Sequence, residues 1–225
     1  MASAKALSSL RKLAPRNAKQ RKYVDILTKD KPTVVIASGA PGCGKTLFAT
    51  FVGAQKLHEG QVDKLVITRP NFSTGPDDIG FLPGDIQQKM EPWMMPIYDA
   101  LTYYYPRTRV DQMVKERVIE IAPLRFMRGR TFESSWIICD EAQNTTVENM
   151  LMVLTRIGKK SKLVLTGDPD QHDRGFEVNG LNDLVSRLST TSVLSDEHFE
   201  YIEFNEMDVE RHPVIPVVLN LYKSR

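Results

Sequence analysis

Gly39-Ala40-Pro41-Gly42-Cys43-Gly44-Lys45-Thr46 brings together the backbone and side chains that could do chemistry on a polyphosphate. It fits the pattern G-x-x-x-x-G-K-[ST] without departure. Glycine lacks a Cβ, so backbone N–H groups at these turns can approach phosphate oxygens closely. A helix opening near Gly44 and continuing through Leu47 would add unsatisfied amides and the positive end of a dipole. Lys45 can reach the β- and γ-phosphates, and the Thr46 hydroxyl can ligate Mg²⁺. This stretch is therefore expected to bind a nucleoside triphosphate.

Two further groups have the right chemistry. Asp140 follows the apolar run Trp136-Ile137-Ile138-Cys139 and fits the acidic partner that holds Mg²⁺. Glu141 can then polarise an attacking water. A plain nucleotide switch has no need of that second carboxylate. Gln171, in Gly167-Asp168-Pro169-Asp170-Gln171, offers an amide to the γ-phosphate or to the water. No N-K-x-D occurs, which argues against a guanine-specific site. A small-molecule kinase is the rival enzyme class, and the loop Arg125 to Arg130 could serve it as a lid.

These groups have to be positioned by a sheet. Thr33 to Ala37, Lys64 to Thr68, Val118 to Ile121, Trp136 to Cys139, Leu163 to Thr166 and Phe199 to Phe204 read as strands. Helical stretches are expected over 17–27, after the glycine loop, from Asp85 to Leu101, from Thr146 to Arg156, over 177–188, and over 213–222. Pro92 and Pro96 should interrupt or kink the third of these. Its Met, Trp and Tyr content, with Tyr103 to Tyr105 following, suits packing better than base stacking. Strands alternating with helices imply an α/β fold with a mostly parallel sheet, whose ligands lie beyond the carboxyl ends of the strands. The turn-rich run from Arg69 to Gly84 is long enough to be functional.

At 225 residues there is room for one domain, read as 17–225, preceded by a basic, loosely ordered arm over 1–16. Residues 1–31 carry nine Lys or Arg against Asp25 and Asp30, an excess of seven in a chain of net charge +2, so the remainder carries five negative charges. A basic arm on an acidic body suits nucleic acid as well as it suits solubility. The first dozen residues also share the acid-free, Ser/Ala/Arg-rich character of transit peptides. No apolar run is long enough to span a bilayer. Cys43 and Cys139 form neither a disulfide framework nor a zinc set, so a cytoplasmic protein is expected.

Several blocks resemble PhoH-like proteins. They are Phe81-Leu82-Pro83-Gly84-Asp85, Ile121 to Leu124 with Met127 to Thr131, Asp140 to Thr146, Leu154 to Gly158, Thr166 to Gln171, and Asp208 to Pro213. The resemblance implies a three-layer RecA-like P-loop core similar to the first motor domain of superfamily 1 helicases. It implies ATP and Mg²⁺ as ligands and a link to RNA metabolism. Stand-alone copies occur in bacteriophages, and this chain is a candidate for one, acting in the host cytoplasm. Gln20, preceded by Asn17, matches the glutamine that reads adenine, and Thr68-Arg69-Pro70 matches a segment that touches the nucleic-acid backbone in helicases. Some relatives carry a PIN nuclease domain, for which no residues are expected here.

The resulting expectation is a Mg²⁺-dependent ATPase coupled to single-stranded nucleic acid, RNA more than DNA. A non-motor ring acting as scaffold or regulator is the alternative. One motor domain lacks the cation that a second would place on the γ-phosphate. A homo-oligomeric ring, hexameric by the resemblance, would supply it in trans from Arg211, Arg174 or Arg156.

Overall fold

The computed structural model describes residues 13–31, 33–70, 86–171, 178–191, 197–210 and the positions 214 and 221, with the side chains of 86–93 outside that description. The expectations placed on Phe81 to Asp85, Arg174, Arg211 and the last helix lie outside the described residues.

Six strands form one sheet. They are β1 (Val34–Gly39), β2 (Lys64–Thr68), β3 (Ile119–Ile121), β4 (Ser135–Cys139), β5 (Lys162–Gly167) and β6 (Phe199–Phe204), in the order β3-β2-β4-β5-β1-β6. Every pairing is parallel. The helices are α1 (Ala18–Thr28), α2 (Lys45–His58), α3 (Ile86–Thr102), α4 (Arg107–Lys115), α5 (Val147–Leu154) and α6 (Gly180–Thr190).

The apolar runs are continuous because both faces of the sheet are covered. Val35, Ala37, Leu65, Ile67, Trp136, Ile138 and Val164 point to one side, where Tyr23 of α1, Phe48 of α2, Ile97 of α3 and Val110 of α4 pack. Their alternates Val34, Ile36, Val66, Ile137, Leu163 and Leu165 face Met150 of α5 and Leu181 of α6. This is the expected three-layer arrangement.

The structure narrows one expectation to a continuous helix and adds one element. Helix α3 runs through Pro92 and Pro96 as a single helical element. The prolines are four residues apart, so both missing N–H donors fall on one face of the helix and the other keeps its ladder. Helix α4 was not anticipated, because a predominantly polar sequence hides the short spacing of Val110, Met113 and Val114; Arg107 also pairs with Asp111 one turn on. Tyr104, Tyr105, Phe51 and His58 stack edge-on among themselves, and the Tyr105 hydroxyl donates to the Ala54 carbonyl, so the tyrosines pack.

Candidate active site

The loop between β1 and α2 is shaped by glycine. Gly44 caps α2 at φ 86°, in the left-handed region, and an added Cβ would lie 3.0 Å from the Phe48 ring. Gly39 has φ 111°, and a Cβ there would sit 1.9 Å from the Phe204 carbonyl oxygen at the end of β6. Both positions demand glycine for different reasons, one conformational and one of close approach. The Lys45 ammonium, 9% exposed as a residue, donates to the carbonyls of Gly39 at 2.5 Å and Ala40 at 2.8 Å. Burial pulls its pKa below the ordinary lysine value, while the nearby Cys43, Asp168, Glu141 and Asp140 push it back.

Because β5 lies between β1 and β4, the ends of these three strands converge. Asp140 Oδ1 accepts from the Thr46 hydroxyl at 2.6 Å and from the Thr166 hydroxyl at 2.7 Å. Thr46, Asp140, Glu141 and Gln171 line one cavity of about 340 Å³ with Pro41, Gly42, Gly44, Lys45 and Leu47. Arg69, Pro96, Gly167 and Asp168 complete it. Burial raises the pKa of the Asp168 carboxyl, with the Asp170 amide and Lys45 opposing.

Glu141 occupies the left-handed region at φ 53°, which is uncommon for a residue with a side chain. Its Oε1 accepts from Arg69 Nη2 at 3.1 Å and its Oε2 from Gln143 Nε2 at 2.6 Å. Gln143, 1% exposed, also donates to the Gln171 carbonyl at 3.0 Å and accepts the Asp168 N–H at 3.1 Å. It ties the ends of β4 and β5 together. A Cβ on Gly167 would lie 2.5 Å from Gln143 Oε1, so this tie also requires glycine.

Among the described residues no group of His, Cys, Asp and Glu could hold a metal by itself. Mg²⁺ needs no such cage, since it takes one or two protein oxygens and completes its shell with water and phosphate. The Thr46 hydroxyl and the Asp140 carboxylate, within hydrogen-bonding distance, are a hard-oxygen pair of that kind.

The remaining expected site residues lie elsewhere. Gln20 stands behind the loop, 3% exposed, donating from Nε2 to the Cys43 carbonyl at 3.1 Å and accepting the Arg16 N–H at 2.8 Å. Cys43 is buried, its thiol 3.6 Å from the Asn205 carbonyl. Arg156 is engaged by its own chain, with the Met152 and Arg130 carbonyls. Arg130 is committed to Glu120 at 2.5 and 2.9 Å, and no arginine of the 125–130 loop lines the cavity. Gln143, Thr166 and Tyr23, whose hydroxyl donates to the Lys45 carbonyl at 3.2 Å, escaped the sequence reading of the site. The glutamine after Asp-Glu-Ala was a visible polar residue beside an acid pair, but its partners lie across another strand.

A family model described as PhoH-like protein matches residues 12–223. The chain belongs to the PhoH-like family. This PhoH-like chain is 37% identical over 206 residues to a PhoH-like protein of Synechocystis, covering 91% of this chain and 60% of that one. It is 37% identical over 207 residues to a PhoH-like protein of Bacillus subtilis, with 92% and 62% covered. It is 35% identical over 211 residues to Protein PhoH of Escherichia coli, with 92% and 57% covered. The PhoH-like chain thus spans about 60% of the length of these relatives. Its fold is similar to the large terminase of a thermophilic bacteriophage, with a TM-score of 0.55 at 11% identity, covering 92% of this chain and 50% of that one. It is also similar to a Sulfolobus solfataricus SWI2/SNF2 ATPase core in complex with dsDNA, with a TM-score of 0.51 at 12% identity, covering 88% and 46%. These likenesses show the fold alone, a three-layer RecA-like core.

Proposed function

We propose that this chain is a Mg²⁺-dependent ATPase whose turnover is coupled to single-stranded nucleic acid, RNA in preference to DNA, within a hexameric ring. The observation that carries the ATPase reading is the junction of Thr46 with Asp140 beside a separately held Glu141, all facing the glycine loop.

The loop amides and Lys45 bind the β- and γ-phosphates, the ammonium exchanging carbonyl partners for phosphate oxygens. The Thr46 hydroxyl and the Asp140 carboxylate would hold Mg²⁺. When bound, the ion neutralises charge on the β- and γ-phosphates. Glu141 accepts the proton of the attacking water, and ADP and inorganic phosphate leave. Gln171, on the rim with its backbone anchored by Gln143, reads the γ-phosphate from its side-chain amide. Gln20 would read adenine by exchanging its bonds with the Cys43 carbonyl and the Arg16 N–H for the base. An arginine of a neighbouring protomer, Arg211 first and Arg174 or Arg156 otherwise, completes the charge on the γ-phosphate.

Support for nucleic acid comes from the basic charge of residues 1–31 and from the Sulfolobus neighbour, an ATPase core in complex with dsDNA. No described helix is long and apolar enough to cross a membrane, and neither cysteine forms a disulfide; the cytoplasm is the proposed compartment. Phosphate release measured with and without single-stranded RNA or DNA tests the reading. Several-fold stimulation that fades as salt is raised supports it. A flat response favours a non-motor ring, and phosphate appearing on a metabolite favours a kinase.

A further inference from the structure

We propose that Arg69 is a positioning residue that restrains Glu141, and that a single-stranded phosphodiester backbone relieves the restraint by drawing the guanidinium away. This rests on the proposed reading of Glu141 as the group that activates water.

The restraint is built into the sheet. Strand β2 lies beside β4, with Thr68 opposite Cys139, and the Asp140 N–H donates to the Thr68 carbonyl at 2.9 Å. Arg69 and Glu141 therefore leave adjacent strand ends in fixed register. Arg69 Nη2 stands 3.1 Å from Glu141 Oε1, and Gln143 Nε2 stands 2.6 Å from Oε2. Each carboxylate oxygen already accepts a hydrogen bond, one of them from a cation. The two bonds together fix where the carboxylate points. The backbone at Glu141 adds to this, since its φ of 53° fixes the direction in which the side chain departs.

The pair is also open to exchange. The side chains of Arg69 and Glu141 are 19% and 36% exposed, so a solvent-borne anion can compete. An arginine offers a planar fork that matches a phosphate bidentately. Arg69 also lines the phosphate-loop cavity, but it enters from the β2 side. Strands β4 and β5 separate β2 from the phosphate-loop strand β1, which puts Arg69 on the outer flank of Glu141. A phosphodiester strand crossing the carboxyl edge of β2 can reach it there.

Steady-state hydrolysis by Arg69→Gln and Arg69→Lys chains, with and without single-stranded RNA and, separately, single-stranded DNA, tests this. With the guanidinium gone, basal kcat should rise by roughly three- to tenfold, as expected when a carboxylate held off by an ion pair becomes free to turn toward the water. KM for ATP should change less than kcat, and further stimulation by nucleic acid should disappear. Arg69→Lys keeps the charge but loses the fork; it should fall between the two and serves if Arg69→Gln melts early. The RNA and DNA arms show which sugar the edge prefers. A fall in basal kcat, or full stimulation retained in Arg69→Gln, overturns the proposal. Wild-type hydrolysis that nucleic acid does not accelerate overturns it too, while leaving the ATPase intact. A wild-type chain that releases no phosphate removes the role of Glu141, and the restraint with it.

Discussion

Asp168 is buried at the mouth of the cavity, and its charged form is penalised there by desolvation. Its folded-state pKa lies above the ordinary value, so between the two the folded chain binds the proton more tightly than the unfolded one. Stability from this group is therefore lost as pH rises through that window. Asp168→Asn removes the penalty and can keep the bond from the Asp170 amide, which Asp168 accepts at 3.2 Å. The variant should melt at a higher temperature than wild type at pH 7, with the difference shrinking toward pH 4, and thermal melts at the two values check this. Glu141 is the other costly residue, since a left-handed backbone at a residue with a side chain costs about 1–3 kcal/mol. The geometry of one loop was legible from the chain alone, because Lys45 and Thr46 need only their glycine neighbours to be recognised. Gln143 was not, because its meaning comes from Asp168 and Gln171, about 25 residues on and brought close only by β5. The same holds for Arg69, whose partner Glu141 is 72 positions away.

At the scale of elements, the phosphate loop is pinned from behind as well as from the front. The β6 end presses on Gly39, and a Cβ there would meet a backbone oxygen that cannot move aside. Gly39→Ala should lose about 2 kcal/mol or more in denaturant unfolding, from strained φ and the clash together. Helix α1 is held at both ends: Asn17 caps its start, and the Lys162 and Lys56 ammonium groups donate to carbonyls at its finish. That bracing keeps Gln20 against the Cys43 carbonyl. The four inner strands were readable because each is an apolar run buried on both faces, and the edge strands β3 and β6 were readable from shorter patterns that alternate apolar with charged residues. Helix α4 was not, since its exposed charges outnumber its few core contacts. Helix α3 is not interrupted at Pro92 and Pro96, and packing of Met94, Ile97 and Leu101 against the sheet offsets two lost donors.

At the scale of the whole molecule, the described residues of one three-layer domain carry the groups the proposed reaction needs, and the cation opposite the γ-phosphate is not assigned among them. Arg156 is tied to its own chain through the Met152 and Arg130 carbonyls, which leaves Arg211 and Arg174 as the stronger candidates for donation across a ring interface. Mixing Lys45→Ala and Arg211→Ala chains, each inactive alone, should restore part of the hydrolysis if the arginine acts in trans. No recovery at any ratio would contradict a shared site. The measurement that bears most directly on the chemistry compares wild type with Glu141→Gln, scoring adenine-nucleotide retention and Mg²⁺-dependent phosphate release on the same preparations. The expected result is equal retention with release lowered by about 10²- to 10⁴-fold, the share that a positioned general base contributes. Equal release from both chains, or no retention by either, would contradict the assignment of this cleft as an ATPase site.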